Sequence, residues 1–288
     1  MALTLTPLRY PGGKSRLAGF IKMMMDRNNL TGGDYVEPYA GGAGIAISLL
    51  SSGYANHVHI NDLNSAIFAF WKSVFFHTDD LCRLIRDTPV SMKTWRQQKN
   101  IIENPGKHSH VELGFATFFL NRTNRSGILS GGVIGGKEQS GKWHMDVRYN
   151  KNSLCLKIET ISSYADQVSL YQLDAEKLLA KIKAKLPKKT LFYLDPPYFV
   201  KSKRLYQDLY TAEDHTRLAK SLHKFSRPWI VSYDDVPQIR KLYTGFKSLR
   251  YRLSYSAGTK CEGAEALYFS SNLKCQRISD PLDMVNYG

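Results

Sequence analysis

The sequence predicts an α/β fold, in which a mostly parallel β-sheet carries helices on both faces and one large insertion. Short apolar segments of strand length alternate with longer segments whose apolar residues recur at helical spacing. Parallel strands need such crossovers to return to the same edge of a sheet. The chain of 288 residues, 43% of them hydrophobic, is long enough for one large domain with an insertion, or for two domains.

The first part of the chain contains one helix and two strand–helix units. Residues 14–28 have their apolar side chains on one helical face. Strands are predicted at 34–37 and 57–61 because both segments are short and apolar. A glycine-rich turn and a helix ending near residue 52 follow the first strand, and a helix over 63–76 follows the second.

The alternation resumes after residue 160 and continues to the end of the sheet. The predicted strands lie at 168–172, 190–194 and 228–233, the helices at 175–185 and 213–224, and a closing pair of strands at 246–253 and 266–271.

Residues of roughly 80–160 interrupt the alternation. An apolar helical segment at 113–120 precedes the Asn/Arg cluster of residues 121–125, and a run of glycines extends from there to residue 141. This pattern predicts an inserted lobe that ends in a glycine-rich loop or hairpin. Asn and Arg are side chains that contact base edges and phosphates, whereas a solvated surface turn is the alternative explanation of the cluster.

The most informative motif is Asp195-Pro196-Pro197-Tyr198, directly after the apolar strand 190–194. It therefore stands at the carboxyl edge of the sheet, where ligands bind in open α/β folds. Asp195 can accept a hydrogen bond from an amino group, and the prolines fix the backbone so that the carbonyl of Pro196 can face the same group. Tyr198 offers a ring face for stacking. The motif predicts a holder for the exocyclic amine of a planar heterocycle.

A second candidate site lies at the turn after the strand 34–37. Glycines at this strand-to-helix turn allow a ligand to approach the backbone closely. Asp62 follows the next strand and stands where an acid holds ribose hydroxyls. No Gly-Lys-Ser/Thr sequence closes the glycine turn, which argues against a phosphate-binding ATP loop.

The charge balance favours a polyanionic partner. The chain has 40 Lys+Arg and 25 Asp+Glu, a formal net charge of +15. Residues 181–260 contain 18 basic and 6 acidic side chains, and residues 83–160 contain 13 and 6. Because the same chain carries a motif suited to a base amine, we expect the partner to be nucleic acid.

Several other classes of protein and site are excluded. No stretch approaches the roughly 18 consecutive apolar residues of a membrane span. The N-terminus lacks a signal-peptide pattern, which predicts a cytoplasmic protein. The four cysteines have no paired metal-ligand spacing and are expected to be reduced, and the histidine pairs 57/59 and 108/110 lack ligand partners, so no metal is expected.

The joint pattern resembles the Dam-like, D12-class N6-adenine-specific DNA methyltransferases over nearly the whole chain. The matching segments are, in order, residues 9–14, residues 37–42, Asp62, Asp174 and residues 195–198. The resemblance implies a Rossmann-like class I methyltransferase sheet with an inserted, mainly helical target-recognition lobe. It also implies S-adenosyl-L-methionine as methyl donor and double-stranded DNA as substrate.

The resemblance assigns roles residue by residue. The catalytic residues are Asp195, Pro196, Pro197 and Tyr198. The cofactor-binding residues are Tyr10, Lys14, Glu37, Tyr39, Gly41, Gly42, Asp62, Asp174 and Asp195. The sequence departs from the family pattern at two positions, Tyr39 and Ala43, where we expect an altered turn that still binds. The simplest alternative is that Asp62 and Asp174 only cap helices.

The Asn/Arg cluster supplies Arg122, Asn124 and Arg125 as candidate DNA contacts. Residues 1–79 and 161–288 are expected to form the catalytic domain, and residues 80–160 the DNA-binding lobe. We expect a monomeric, prokaryotic or phage-encoded enzyme, for which a cognate restriction enzyme is an open possibility.

The predicted reaction is methyl transfer to the N6 amino group of adenine in duplex DNA, with the base flipped out. Adenine in RNA remains open, and so does a DNA-binding protein without catalysis. Cytosine and protein glutamine are less favoured, because enzymes of those kinds typically have Ser or Asn where Asp195 stands.

Overall fold

The computed structural model describes residues 6–9, 14–199, 210–255, 261–275 and 281–284. They form a mixed α/β fold with a seven-stranded sheet, which confirms the predicted fold class. The strands are β1 (Gly33–Glu37), β2 (Ala55–Asn61), β3 (Val168–Tyr171), β4 (Thr190–Leu194), β5 (Trp229–Asp234), β6 (Lys247–Tyr255) and β7 (Cys261–Phe269).

The order of strands in the sheet is β3-β2-β1-β4-β5-β7-β6. Strands β1 to β5 are parallel, and β7 enters antiparallel between β5 and β6. The order reverses at β1, which pairs with β2 on one side and β4 on the other. The helical connections on the two sides of such a point cover opposite faces of the sheet, so a crevice opens above the carboxyl ends of β1 and β4.

Ten α-helices accompany the sheet in the described part of the chain. They are α1 (Ala18–Arg27), α2 (Gly44–Ser51), α3 (Ser65–Phe76), α4 (Thr78–Asp87), α5 (Met92–Glu103), α6 (His110–Thr123), α7 (Lys151–Ser162), α8 (Ala175–Ile182), α9 (Ala212–His223) and α10 (Pro237–Leu242). No helix among the described residues is long and apolar enough to cross a membrane.

Alternation of side chains along each strand divides the interior into two cores. Tyr193 points into the core on one face, while its neighbours Phe192 and Leu194 point into the core on the other. All five residues of β4 are buried, as expected for a central parallel strand covered on both faces. Helices α1, α2 and α3 pack on the first face, and α8 and α9 on the second.

The inserted segment rests on α3 through helix α6. Gly114 of α6 lets the two backbones approach closely, because a Cβ there would lie 2.7 Å from the carbonyl oxygen of Ala69. Phe118 stacks on Phe70 with ring centroids 6.2 Å apart, and the Thr117 hydroxyl donates to the carbonyl of Ala66. The insertion thus shares its core with the sheet, and its division as a separate lobe stays a prediction.

The predicted elements occur in the predicted order, with shifts of a few residues at their ends. The glycine-rich stretch after α6 is a loop, since its main pairing is a single antiparallel bridge between Asn124 and Val133. Glycines 127, 135 and 136 there have φ between 77° and 84°, a left-handed backbone that favours glycine and breaks strand pairing.

We expect Gly114→Ala to lower the free energy of unfolding. The new methyl group would lie 2.4 Å from Ser73 Oγ, and overpacking of this kind costs about 1–3 kcal/mol against a helix-propensity gain of about 1 kcal/mol. Urea denaturation measures the difference. Gly106→Ala is the matched control, because nothing lies within 4 Å of its Cβ position. Equal stability of the two variants would contradict close packing of α6 on α3.

Candidate active site

A cavity of about 440 Å³ opens at the carboxyl ends of β1, β2 and β4, where the strand order reverses. Four carboxylates line it: Glu37 at the end of β1, Asp62 after β2, Asp174 after β3 and Asp195 after β4. Arg9, Arg122 and Lys157 also line it. The cavity therefore has acidic groups along the sheet edge and basic groups contributed by the N-terminal segment, α6 and α7.

The glycine turn after β1 is held by Asp62. Its carboxylate accepts hydrogen bonds from the backbone N–H of Gly41 at 2.9 Å and of Asn64 at 3.0 Å. The indole N–H of Trp71 donates to the carbonyl of Gly41 at 2.9 Å. Gly41 and Ala43 have φ of 46° and 45°, so the expected altered turn places an alanine in the left-handed region.

The Glu37 side chain has one buried carboxylate oxygen without a hydrogen-bond donor among the described residues. Its side chain lines the cavity and accepts a hydrogen bond from the backbone N–H of Ala46. Among the described residues, its Oε2 atom has no hydrogen-bond partner. Burial, and next the negative charge of Asp195, raise the pKa of Glu37 well above its ordinary value. A ligand that donates a hydrogen bond or carries a positive charge would satisfy this oxygen.

Asp174 both caps a helix and faces the cavity. Its carboxylate accepts hydrogen bonds from the backbone N–H groups of Glu176 and Lys177, so Asp174 does cap the start of α8. The same side chain lines the cavity, as do Tyr39 and Tyr210. The hydroxyl groups of these two tyrosines lie 2.6 Å apart. Tyr210 was not anticipated from the sequence.

Asp195 is held by β5. The hydroxyl of Ser232 donates to its Oδ1 at 2.5 Å, and the hydroxyls of Ser232 and Tyr193 lie 3.0 Å apart. Burial raises the pKa of Asp195 to about 6, although the positive charge of Lys14, 3.9 Å away, and the Ser232 hydrogen bond oppose the rise. The carboxylate is thus an acceptor at neutral pH and is protonated in mild acid.

The rest of the four-residue motif is fixed from the same strand edge. Pro197 lines the cavity with Asp195, and the backbone N–H of Phe199 donates to Asp234 at the end of β5. Within the described residues, the carbonyl of Pro196 accepts no hydrogen bond. Tyr198 is buried and lies outside the lining of this cavity, so its stacking on a base stays a prediction.

Lys14 lies in a buried polar cluster behind Asp195. Its ammonium donates to both oxygens of Glu265, at 3.0 and 2.8 Å, and to the hydroxyl of Tyr198. The hydroxyls of Tyr198 and Tyr251 also donate to Glu265. The sequence prediction missed Glu265, although an acidic residue within the apolar strand pattern of β7 was the available signal.

The three residues of the Asn/Arg cluster have three different environments. Asn124 is buried, accepts from the indole N–H of Trp95 at 2.7 Å, and donates to the carbonyls of Ile128 and Leu129. Its amide is therefore occupied within the fold, and we withdraw the prediction that it contacts a base. Arg125 is exposed at the start of the glycine-rich loop.

Arg122 reaches the cavity and is half-buried. Its Nε donates to the carbonyl of Arg148 at 2.7 Å, and its Nη1 to the carbonyl of Pro7. Burial, and then the positive charges of Arg9 and Arg148, lower the pKa of Arg122 to about 10, so it is still charged at neutral pH. Such a cluster of cations favours an anionic ligand.

Tyr10 and the basic residues at 201–204, also considered from the sequence, lie outside the described residues. In the part of the chain that the structure describes, no group of three His, Cys, Asp or Glu side chains is arranged to hold a metal ion.

Comparison with known proteins gives a family match over most of the chain. The model of the family described as D12 class N6 adenine-specific DNA methyltransferase matches residues 10–256. A search of curated proteins finds no match.

Three solved structures are similar at low sequence identity. A candidate RNA methyltransferase from Pyrococcus horikoshii has a TM-score of 0.42 at 11% identity, with 91% of this chain and 86% of that chain covered. The rRNA methyltransferase AviRa from Streptomyces viridochromogenes has a TM-score of 0.41 at 14% identity, covering 91% and 87%. A candidate methyltransferase complexed with SAH has a TM-score of 0.36 at 10% identity, covering 86% and 48%.

We expect Asn124→Ala to destabilise the protein, because it leaves the buried indole N–H of Trp95 and the carbonyl of Leu129 without their partner. The carbonyl of Ile128 loses one of its two donors and keeps the N–H of Gly131. The expected loss is about 1–3 kcal/mol in the free energy of unfolding. Arg125→Ala, one residue away and exposed, should change stability by less than about 0.5 kcal/mol. Thermal and urea unfolding compare them. A fully stable Asn124→Ala protein would restore the amide as a candidate DNA contact.

Proposed function

Because the chain belongs to the D12 class of N6 adenine-specific DNA methyltransferases, we propose that it methylates the N6 amino group of adenine in duplex DNA, flipped out of the helix. We further propose that S-adenosyl-L-methionine is the methyl donor. The observation that carries the proposal is the position of Asp195. Its carboxylate and Pro197 line a cavity at the switch point of the sheet, beside a proline carbonyl that accepts no hydrogen bond within the described protein.

The cavity fits the proposed cofactor. Its volume of about 440 Å³ lies within the range of small-molecule sites. The unsatisfied Oε2 of Glu37 suits an ammonium group or a hydroxyl, and the carboxylate of Asp62 lies where ribose hydroxyls bind in related folds. A Cβ added at Gly44 would lie 3.0 Å from the Cβ of Ser15, so the turn is tightly packed at this glycine. Lys14, Tyr39, Gly42 and Asp174 remain proposed contacts.

When bound, the cofactor supplies a methyl group on a positively charged sulfur. The amine of adenine is a weak nucleophile, because its lone pair is delocalised into the ring. Asp195 and the Pro196 carbonyl would accept its two hydrogens, which orients the nitrogen and favours tetrahedral geometry. The methyl group would pass from this sulfur to the amine nitrogen, and Asp195 is placed to accept the proton that the nitrogen would then give up.

A base inside a duplex cannot reach this site, because Asp195 lies at the sheet edge among buried residues. Base flipping is therefore part of the proposal. Tyr198 would contact the flipped base. The net charge of +15 supports binding to a polyanion.

We propose that residues 80–160 provide the DNA-binding lobe. Arg125, exposed beside the glycine-rich loop, is suited to a base edge or a phosphate in the groove. Arg122 lies deeper, in the cation cluster at the cavity, and we assign it to an anionic group rather than to a base edge. Asn124 supports the start of the glycine-rich loop through the carbonyls of Ile128 and Leu129.

Methyl-transfer assays test the proposed substrate. Labelled S-adenosyl-L-methionine, incubated with the protein and duplex DNA, is expected to give N6-methyladenine on nucleoside analysis. RNA of the same sequence is expected to be a poor acceptor. Transfer to RNA at a comparable or higher rate would favour the RNA alternative. Transfer to neither polymer would favour a DNA-binding protein without catalysis.

We expect Asp195→Ala to lower the methyl-transfer rate by about 10²–10³, the usual cost of losing one preorganised polar contact. In the wild-type protein, kcat/KM should fall as the pH drops below about 6, because a protonated Asp195 no longer accepts hydrogen bonds from both Ser232 and the adenine amine. Asp195→Asn should lose this acid limb along with most of its activity. Wild-type turnover by Asp195→Ala would refute the assignment.

We expect Asp62→Ala to weaken S-adenosyl-L-methionine binding by calorimetry. The substitution removes a charge-assisted contact and also frees the N–H of Gly41 in the glycine turn. Asp80→Ala is the control, since that carboxylate is exposed on α4 and pairs with Arg83. If the cofactor bound both variants equally well, Asp62 would not belong to the cofactor site.

A further inference from the structure

We propose that Glu265 is a positioning residue of the methyl-transfer site. From the antiparallel strand β7 it holds the ammonium of Lys14 and the hydroxyl of Tyr198, and it thereby sets the geometry and the charge around Asp195. The inference rests on the role proposed above for Asp195.

The contacts of Glu265 come from three separate parts of the chain. Lys14 follows the N-terminal segment, Tyr198 belongs to the loop after β4, and Tyr251 is the cross-strand partner of Glu265 on β6. Oε1 accepts from Tyr198 at 2.5 Å and Oε2 from Tyr251 at 2.6 Å, while Lys14 donates to both oxygens. One carboxylate thus ties the sequence-distant parts of the site together.

The carboxylate of Glu265 is fully buried, with no exposed side-chain surface. An isolated carboxylate at such a depth is very unfavourable, whereas one with a cation and two phenols as partners is compensated. Removing the carboxylate would take away the nearer of the two ion-pair partners of the buried Lys14 ammonium and leave only Asp195 at 3.9 Å. The arrangement is therefore a specific constraint on Lys14 and Tyr198, beyond the packing of β7.

Lys14 lies between two carboxylates. Its Nζ is 2.8 Å from Glu265 and 3.9 Å from Asp195, and it also sits 4.8 Å from the centre of the Tyr198 ring. Lys14 and Glu265 have opposite effects on Asp195: the charge of Lys14 lowers the pKa of Asp195, and the charge of Glu265 raises it. By holding Lys14, Glu265 controls how strongly Asp195 is paired in the resting site.

Other groups also interact with Asp195 and must be counted. The charged groups are Lys14, Glu37 and Glu265, and the phenols are Tyr35, Tyr193, Tyr198 and Tyr251. Each phenol has its pKa raised, first by burial, so all four are neutral near pH 6. Burial and then the charge of Asp195 raise the pKa of Glu37, and Glu265→Gln leaves Glu37 in place.

The decisive variant is Glu265→Gln, which keeps the shape of the side chain and removes its charge. We expect kcat to fall by on the order of 10²-fold, because the reacting groups lose their alignment. The acid limb of kcat/KM should move to lower pH, because the charge that raises the pKa of Asp195 is gone and Lys14 is released toward it. A purely structural glutamate would reduce the folded fraction and leave the acid limb where it was.

A milder variant covers the case in which Glu265→Gln fails to fold. Tyr251→Phe removes one donor from Glu265 and leaves its charge in place, and we expect kcat to fall about fivefold, the effect of one ordinary hydrogen bond. Tyr268→Phe is the matched control, since Tyr268 is on β7 but packs in the core of the other sheet face. Its kcat should equal that of the wild type.

The outcomes separate the two proposals. If Asp195→Ala is inactive while Glu265→Gln keeps the wild-type kcat and acid limb, the positioning role is overturned and the proposed function stands. The positioning role is also overturned if Tyr251→Phe behaves like Tyr268→Phe. If Asp195→Ala itself keeps wild-type activity, the proposed function fails, whatever Glu265 does.

Discussion

The parallel pairing of β1 with both β2 and β4 is the constraint on which the rest of the structure depends. Because α2, which follows β1, and α9, which follows β4, pack on opposite faces of the sheet, a cavity remains above the carboxyl ends of these two strands. Glu37, Asp62 and Asp195 reach this cavity because each lies at the carboxyl end of a strand of that parallel set, Glu37 as its last residue and the two aspartates directly after it. A different strand order would scatter the three carboxylates along the sheet edge.

The clustering of acids at one edge has an electrostatic consequence. Burial and then the charge of Asp195 raise the pKa of Glu37. Burial also raises the pKa of Asp195, where the charge of Lys14 opposes the rise and that of Glu265 adds to it. On the opposite wall, burial and then the positive charges of neighbouring arginines lower the pKa of Arg9 and of Arg122. The cavity is therefore polarised between an acidic sheet edge and a basic helical wall, which suits a ligand with a cationic centre next to a polyanion.

The inserted segment combines rigidity with an open loop. Helix α6 is anchored on α3 by the close approach at Gly114, and its last turn leads directly to Asn124. The buried amide of Asn124 binds Trp95 on α5 and two carbonyls of the glycine-rich loop. The loop therefore leaves a fixed point and presents Arg125 to solvent, while Arg122, one helical turn earlier, faces the cavity.

The sequence by itself determined the fold class, the order of the strands and helices along the chain, and the family. Apolar periodicity and glycine turns are local features, and the methyltransferase motifs are short segments that can be recognised without knowledge of packing. Only the tertiary structure decided which polar groups meet. Asn124 is a buried support instead of a base contact, and Glu265, some 250 residues from Lys14, is its ion-pair partner. Such contacts depend on which faces of distant elements are brought together, and no local pattern encodes that.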